Sequence, residues 1–238
     1  MSLVAETPVA VLAGGLATRL RPITEHIPKV LVSVAGEPFI AHQLRLLRRE
    51  GIKRVVLCVG YLGEMVRETV RGGEAFGLTV SYSFDGEKLL GTGGALVRAF
   101  PQLGDRFIVL YGDSYLDISL APVLTAFREN RLPALMTVYR NEGRWDTSNV
   151  LFDGKRVVRY CKPSPTPDMQ YIDYGLGVLT QTAFAGHLDS GAFDLADVYA
   201  ELAAVGKLAG FEAKHRFYEI GTPAGLAETE SYLAQQSS

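Results

Sequence analysis

The sequence predicts an α/β fold whose central sheet is mainly parallel. Short apolar runs of strand length alternate with stretches of helical periodicity, and glycine or proline separates most of them. Strands that alternate with helices favour right-handed crossovers, which bring successive strands side by side in one parallel sheet. In this part of the chain the predicted strands are residues 9–13, 53–59, 78–84 and 106–110.

The helices of the first half have recognisable start and stop signals. Pro38 suits the first position of a helix that runs to about residue 50, and Gly51 ends it. The three arginines of this helix fall mostly away from its apolar face, which predicts a solvated surface and no nucleic-acid patch. A helix over residues 62–71 ends at Gly72-Gly73, and another opens near Gly91 and runs through residue 100.

The pattern changes after residue 140. A helix at 120–130 and a strand at 134–139 come before this point. Residues 149–152 and 156–160 then flank Asp153-Gly154, a dipeptide favoured in tight hairpins, and predict an antiparallel excursion off the sheet. The remaining predicted elements are a strand at 171–179, a helix at 195–205, turns at Gly206 and Gly210, a strand at 216–220 and a helix at 224–235.

Composition narrows the class of protein. A chain of 238 residues can bury a sizeable core, and its formal charge of −2 argues against non-specific nucleic-acid binding. No apolar run approaches the roughly 18 residues that span a bilayer, and residues 1–7 lack the features of a secretory signal. We therefore expect no membrane partner and a cytoplasmic location. Cys58 and Cys161 form neither a disulfide framework nor a zinc set.

The loop over residues 12–29 follows the first strand and has the features of a polyphosphate cradle. Gly14 and Gly15 predict a backbone that passes through positive φ and brings its N–H groups close to an anion. Arg19, Arg21 and Lys29 add fixed positive charge within the same segment. The loop matches neither GxxxxGK[ST] nor GxGxxG, which argues against an ATPase P-loop and a standard dinucleotide fingerprint.

Two further segments carry candidate ligand-binding residues. Residues 87–94, EKLLGTGG, open a helix, and their glycines allow a flat base or a phosphate to approach the backbone. The alternative is a tight turn in which Thr92 caps the helix. Asp113 follows a buried strand, at the end where ligands of open α/β sheets bind, and Gly112 leaves room beside it. The alternative there is a carboxylate that caps the next turn.

Motifs in this order resemble the signature of the sugar-1-phosphate nucleotidylyltransferases. The matching segments are LAGG at 12–15, TRLRP at 18–22 and Pro28-Lys29, while Ala17 stands where most relatives have glycine. The resemblance extends from residue 9 to about residue 233. It implies a three-layer α/β/α sandwich with a Rossmann-like, mostly parallel but mixed sheet of the nucleotide-diphospho-sugar transferase type. It also implies one domain over residues 1–238, with a nucleotide-binding half at about 8–115 and a sugar-phosphate-binding half at about 116–238.

The resemblance further implies roles for individual residues. It assigns catalysis to Arg19, Lys29 and Asp113. It assigns nucleotide binding to Leu12, Ala13, Gly14, Gly15, Thr18, Arg19, Glu87, Gly91 and Thr92. It assigns sugar-phosphate binding to Lys29, Gly112, Lys162, Asp173 and Gly175. Mg²⁺ is the expected cofactor, held by Asp113 and Glu219, because a hard cation takes oxygen ligands.

Three positions in the second half depart from the family pattern. Cys161 precedes Lys162 where the family has glutamate, and Asp173 stands where asparagine is common. Glu219 replaces the aspartate that is usually the second metal ligand, so its carboxylate reaches one methylene further. A longer arm could coordinate after small backbone shifts or act through a water molecule.

The implied reaction converts an NTP and a sugar 1-phosphate into an NDP-sugar and pyrophosphate. Gly-Asp-Ser at 112–114 and the closing FYEIGTP favour guanylyl transfer to a mannose- or heptose-type sugar, with UTP also possible. Two alternatives stay open: a cytidylyltransferase acting on phosphocholine, and a regulatory subunit that binds a nucleotide sugar without catalysis. The sequence leaves the oligomeric state undecided.

Overall fold

The computed structural model describes residues 2–236, and a mixed sheet forms its centre. The strands are β1 Val9–Leu12, β2 Ser33–Val34, β3 Glu37–Pro38, β4 Arg54–Val59, β5 Thr79–Phe84, β6 Arg106–Tyr111, β7 Ser114–Tyr115, β8 Ala134–Arg140, β9 Val150–Phe152, β10 Val157–Tyr160, β11 Tyr171–Thr180, β12 Leu208–Ala213 and β13 Tyr218–Glu219. The α-helices are α1 Leu3–Glu6, α2 Phe39–Arg49, α3 Gly63–Val70, α4 Gly91–Leu103, α5 Leu120–Asn130, α6 Leu195–Ala204 and α7 Pro223–Gln236.

The first half of the sheet is parallel and the second half is mixed. Strands β6, β1, β4 and β5 lie side by side in that order, each parallel to its neighbour. Strand β11 is antiparallel to both β6 and β8, and β12 is parallel to β8. The predicted Rossmann-like, mostly parallel but mixed sheet is therefore confirmed.

Apolar cores lie on both faces of the sheet. Successive side chains of a strand point to opposite faces, and in β1 Val9 and Val11 join one core while Ala10 joins the other. The first core packs against α2, α3 and α5, and the second packs against α4 and α6. Helices thus cover both faces, which confirms the predicted three-layer α/β/α sandwich.

Gly210 was predicted to mark a turn, and this prediction is wrong. Gly210 lies inside β12, which pairs with β8 and which the sequence analysis missed. A Cβ atom at position 210 would lie 2.3 Å from Cε2 of Phe152, so the strand needs glycine here to accommodate that ring. Glycine inside a strand often marks such a close approach, and its spacing alone does not separate that role from a turn.

The hairpin and the last strand also differ from the prediction. Strands β9 and β10 form the expected antiparallel hairpin, but β9 joins the main sheet through the pairing of Tyr171 with Val150. The hairpin therefore extends the sheet and does not leave it. The strand predicted over residues 216–220 is limited to β13, because its partner β7 is equally short.

The pairing of β13 with β7 brings the end of the chain beside the end of β6. Ser114 pairs with Glu219, and the Ile220 N–H donates to the Asp113 carbonyl over 2.9 Å. Two segments more than a hundred positions apart are thus joined at the turn that carries Asp113. Across residues 2–236, the helices are all too short or too polar to cross a bilayer.

Candidate active site

Two clefts meet at Asp113, at the carboxyl ends of the parallel strands. The first cleft has a volume of about 230 Å³ and the second of about 460 Å³. Tyr111 and Asp113 line both of them. A molecule held in one cleft can therefore contact a molecule held in the other at the Asp113 carboxylate.

The first cleft is lined by loops that follow β1, β4, β5 and β6. Gly15, Gly91 and Asp113, from the three segments that the sequence analysis identified as candidate ligand-binding segments, all line this cleft. The lining residues are Leu12, Ala13, Gly14, Gly15, Ala17, Lys29, Val30, Cys58, Asp85, Leu89, Gly91, Thr92, Ala95, Tyr111, Gly112 and Asp113. Thr18 and Glu87, predicted to bind nucleotide, line neither cleft.

The glycine loop has a different backbone from the one predicted. Neither Gly14 nor Gly15 has a positive φ, and the left-handed residue of this loop is Ala17, with φ of 49°. Gly14 is needed for close packing instead, because a Cβ atom there would lie 3.1 Å from the backbone nitrogen of Gly60. The left-handed turn thus falls at Ala17, where the family resemblance implied a third glycine.

Lys29 and Asp113 form an ion pair at the junction of the two clefts. Lys29 Nζ donates to Asp113 Oδ2 over 2.8 Å, and the side chains are 15% and 30% exposed. The Ser114 hydroxyl approaches the other carboxylate oxygen at 3.3 Å. Both oxygens of Asp113 therefore have protein partners, and its charge is balanced by the lysine predicted to bind phosphate.

Gln43 braces the turn that carries Asp113. Its side chain is 1% exposed, and Nε2 donates to the carbonyls of Tyr111 and Ser114 over 3.1 and 2.8 Å. These carbonyls lie on either side of Asp113, so the amide holds the turn from helix α2. The sequence analysis did not identify this role, because nothing in the spacing of Gln43 relates it to residue 113.

The start of α4 is occupied mainly by contacts within the protein. The N–H groups of Gly93 and Gly94 donate to the Phe193 carbonyl over 3.0 and 3.4 Å. The Thr92 hydroxyl donates to Asp194 Oδ1 and accepts from the Leu195 N–H, each over 2.8 Å. Thr92 lines the cleft, but its hydroxyl ties α4 to the start of α6 and does not cap α4, whose N-cap Leu90 has no side-chain hydrogen bond.

Asp85 is a residue of the first cleft that the sequence analysis missed. It follows β5 directly and is 7% exposed, and its Oδ2 accepts the Leu90 N–H over 3.2 Å. Burial raises the pKa of this carboxyl, and the Leu90 N–H and the charge of Arg98 oppose that rise. The rule that identified Asp113, an acidic residue directly after a buried strand, could also have identified Asp85.

The second cleft is lined by side chains from distant parts of the chain. They come from the turn after β6, the loop before β9, the segment after β10, the first half of β11 and the segment around β13. The lining residues are Arg19, Tyr111, Asp113, Ser114, Trp145, Asp146, Asn149, Lys162, Ile172, Asp173, Tyr174, Gly175, Phe217, Glu219 and Thr222. All predicted sugar-phosphate-binding residues line one cleft or the other.

Lys162 and Asp173 are a cation and an anion in this second cleft. Lys162 Nζ lies 5.5 Å from the centre of the Tyr111 ring. Asp173 accepts the Gly175 N–H over 3.0 Å and, more weakly, the Tyr160 hydroxyl over 3.3 Å. Burial raises the pKa of Asp173, and the charge of Lys162 opposes the rise. An acceptor-only carboxylate set among tyrosines suits hydroxyl donors from a sugar.

An aromatic stack at the rim of the second cleft has no counterpart in the sequence analysis. The Arg216 guanidinium carbon lies 3.5 Å from the centre of the Trp145 ring and 4.5 Å from that of Tyr218. Arg216 also forms an ion pair with Glu228 of α7 over 2.6 Å. These contacts hold the loop with Trp145 against the end of the chain.

Glu219 faces the second cleft but is engaged at the start of α7. Its carboxylate accepts the Gly221 N–H over 2.5 Å and the Thr222 hydroxyl over 3.2 Å. Within residues 2–236 no group of three or more His, Cys, Asp or Glu side chains is arranged to hold a metal ion. Asp113 can still fit a hard cation, because Mg²⁺ often binds one or two carboxylates together with substrate phosphates and water. The metal role of Glu219 stays a prediction.

The open α/β sheet and the strand-end clefts define the class of protein as a nucleotide-binding α/β transferase. A family model described as nucleotidyl transferase matches residues 9–236. The chain therefore belongs to the nucleotidyl transferase family, as the motifs predicted. Members of this family generally use a divalent metal ion.

Individual relatives agree with this membership. The chain is 30% identical to a D-glycero-α-D-manno-heptose 1-phosphate guanylyltransferase of Campylobacter jejuni, over 73% of this chain and 76% of that protein. It is 35% identical to a UTP–glucose-1-phosphate uridylyltransferase of Synechocystis, over 50% of this chain but only 34% of that protein. The structure of HddC from Yersinia pseudotuberculosis has the same fold, with a TM-score of 0.82 and 21% identity over 95% of this chain and 99% of that one.

Proposed function

We propose that the protein joins an NTP to a sugar 1-phosphate and releases pyrophosphate, forming an NDP-sugar. The observation that carries this proposal is the junction of two clefts at one carboxylate, with cations on both sides. Lys29 lines the first cleft, and Arg19 and Lys162 line the second. Two polyanionic substrates repel each other, and fixed positive charge at the junction lowers the cost of bringing their phosphates together.

In the proposed reaction an oxygen of the sugar phosphate attacks the α-phosphorus of the NTP. A bond forms between these atoms, and the bond from the α-phosphorus to the bridging oxygen breaks. The electron pair of that bond leaves with pyrophosphate. Because the attacking oxygen is already anionic at neutral pH, no general base is needed, and catalysis consists of positioning and charge stabilisation.

Positioning and charge stabilisation are assigned to different residues at the junction. Lys29 and Lys162 would hold the sugar phosphate in line. Arg19, which lines the second cleft together with Asp113, would grip the pyrophosphate through its planar guanidinium where the two clefts meet. Asp113 would hold Mg²⁺, which when bound neutralises charge on the phosphate oxygens. Because Lys29 is paired with Asp113, this lysine must exchange the carboxylate for a phosphate oxygen when substrates and metal bind.

A guanylyl donor with a mannose- or heptose-type acceptor is the favoured pair, and UTP is the second choice. The Campylobacter relative is named for a heptose 1-phosphate and guanylyl transfer, and the Synechocystis relative for uridylyl transfer. A non-catalytic subunit is disfavoured because these relatives are transferases by name. The presence of Arg19, Lys29 and Asp113 at the junction also argues against it.

The direct test is pyrophosphate release. Purified protein is incubated with Mg²⁺, each of the four NTPs and a panel of sugar 1-phosphates, with phosphocholine as a further acceptor. We expect pyrophosphate release with one NTP and the 1-phosphate of an uncharged hexose or heptose. We expect no release when either substrate is left out. Release with CTP and phosphocholine alone would replace the proposed function, and release with no pair would favour the non-catalytic subunit.

A further inference from the structure

One buried carboxylate of the first cleft has no part in the proposed reaction. Asp85 lines this cleft, is 7% exposed and makes no ion pair with the part of the chain that the structure describes. Its Oδ2 accepts the Leu90 N–H, whereas Oδ1 has no hydrogen-bond partner among the same residues. Because Oδ1 is not among the fully buried unpaired atoms of the described residues, it is reachable from the cleft and free to accept a hydrogen bond from a ligand.

We propose that Asp85 reads the nucleobase and selects guanine, so that the nucleotide of the proposed reaction is GTP. This inference rests on the proposed function, because it takes the first cleft to be the nucleotide site. It adds a specificity-determining residue that the motifs do not contain, since the predicted Glu87 of the same segment is exposed and outside both clefts.

The order of the strands sets Asp85 at the far end of the cleft from the reacting phosphates. The strands run β6, β1, β4 and β5, with Asp113 just beyond β6 and Asp85 just beyond β5. Three steps between neighbouring strands separate them, which at about 4.8 Å a step is roughly 14 Å. A nucleotide with its α-phosphate near Asp113 would therefore extend its base along the strand ends toward Asp85.

Other polar groups near Asp85 are already committed within the protein. The Thr92 hydroxyl and the N–H groups of Gly93 and Gly94 are bound to the segment before α6. Burial raises the pKa of the Cys58 thiol to about 12, so it stays neutral. Gly14 and Gly60 have no side chains, which lets the Asp85 carboxylate pack against their backbone. The base end of the cleft thus offers chiefly an anionic acceptor beside flat, apolar surface.

The hydrogen-bonding edges of the four bases differ in what they offer a carboxylate. Guanine presents adjacent N1–H and N2–H₂ donors, whereas a carboxylate accepts only. Uracil presents one N–H between two carbonyl oxygens, which repel a negative charge. Adenine and cytosine each present an amino group beside a ring nitrogen acceptor. Guanine is therefore the base whose donors best match Asp85.

The test measures nucleotide binding by calorimetry with Mg²⁺ and without any sugar phosphate. Wild-type protein is titrated with GTP, UTP, CTP, ATP and inosine triphosphate, which keeps N1–H but lacks the N2 amino group. We expect GTP to bind at least about tenfold more tightly than each of the others, since a hydrogen bond to a charged acceptor is worth that much. Equal affinity for GTP and inosine triphosphate, or tighter binding of another NTP, would overturn the inference.

The variant Asp85→Asn tests the residue itself. Its amide presents a donor toward guanine N1–H, and we expect GTP affinity to fall at least about tenfold and the preference over inosine triphosphate to disappear. Asp105→Asn, which removes an exposed carboxylate before β6, is the matched control and should bind like wild type. An equal loss for all five nucleotides would mean that Asp85 only anchors the loop at Leu90, and would also overturn the inference.

These outcomes are separable from the fate of the proposed function. Guanine selectivity in binding without pyrophosphate release from any pair would reject the proposed reaction and keep the role of Asp85. Turnover with UTP alone would keep the reaction class and reject the role of Asp85. If Asp85→Asn does not fold, the comparison of GTP with inosine triphosphate on wild-type protein still decides.

Discussion

The two clefts that meet at Asp113 are built in different ways. The first is formed largely by backbone at the ends of parallel strands, with glycines or small residues at many of its positions. The second is formed by side chains from antiparallel strands and from the end of the chain. Backbone position follows from the fold, whereas side chains change with single substitutions. The first cleft is therefore suited to a ligand feature common to the family, and the second to the features that differ.

The departures from the family pattern follow this division. Asp173 and Glu219 both line the second cleft, and Cys161 adjoins Lys162 of the same cleft. In the first cleft the departure is Ala17, which changes one hydrogen to a methyl group. This distribution agrees with the proposed division into a nucleotide side and a sugar-phosphate side.

The largest expected effect is at Asp113, which together with Tyr111 lines both clefts. Asp113→Asn should leave the fold intact and reduce kcat at least about a hundredfold, the scale of losing one electrostatic contributor. The measurement is pyrophosphate release with the preferred substrate pair. Asp117→Asn is the matched control, because Asp117 pairs with Arg49 on an exposed surface and lines neither cleft. Near-normal turnover of Asp113→Asn would remove the metal assignment.

A smaller effect is expected from a substitution that changes the second cleft but not the first. Lys162→Met keeps most of the length of the side chain but removes its charge, and it should raise KM for the sugar 1-phosphate about tenfold. NTP binding by calorimetry should stay unchanged, because Lys162 lines only the second cleft. Lys155→Met, at an exposed position of the turn between β9 and β10, should alter neither constant. A loss of NTP affinity in Lys162→Met would show that the two clefts do not divide the substrates in this way.

The smallest effect concerns the backbone of the first cleft. Ala17 has a φ of 49°, and the left-handed conformation costs an alanine about 1–2 kcal/mol. Ala17→Gly removes this cost but increases the freedom of the unfolded chain, so the free energy of unfolding should rise by less than about 1 kcal/mol.

Urea denaturation measures this difference, with Ala227→Gly as the control. Ala227 is exposed inside α7, where glycine should lower the free energy of unfolding by about 0.5–1 kcal/mol. If the free energy of unfolding fell equally in the two variants, the backbone at residue 17 would not be strained by its alanine. Turnover of Ala17→Gly should stay close to wild type, because the substitution changes no polar group.

Much of the first cleft could be predicted from local sequence. The strands at 9–13 and 106–110, the glycine loop and Asp113 were identified because a buried strand and the turn after it have short-range signatures. Asp85 was missed although the same rule applies to it, because the family motif of this segment names Glu87 and not Asp85. The positive φ was assigned to Gly14 and Gly15 because glycine favours it, yet the loop adopts it at Ala17.

The second cleft could be predicted only where a family motif named its residues. Arg216 stacks on Trp145, about 70 positions away, and on Tyr218. No sequence pattern predicts that these residues come together. Strand β12 was missed because Gly210 is typical of a turn, and only the ring of Phe152 explains a glycine there.

The sequence by itself determined the α/β class, the order of most of its longer helices and strands and the charged residues available for phosphate chemistry, because these depend on composition and on periodicity within a few residues. The tertiary structure decided which of these residues share a cleft. The pairing of β13 with β7, the hydrogen bonds from Gln43 to the turn that carries Asp113 and the packing of Asp85 against Gly14 and Gly60 all join segments far apart in the chain. Such contacts form only when the helices pack on the sheet, because no interaction between neighbouring residues specifies them.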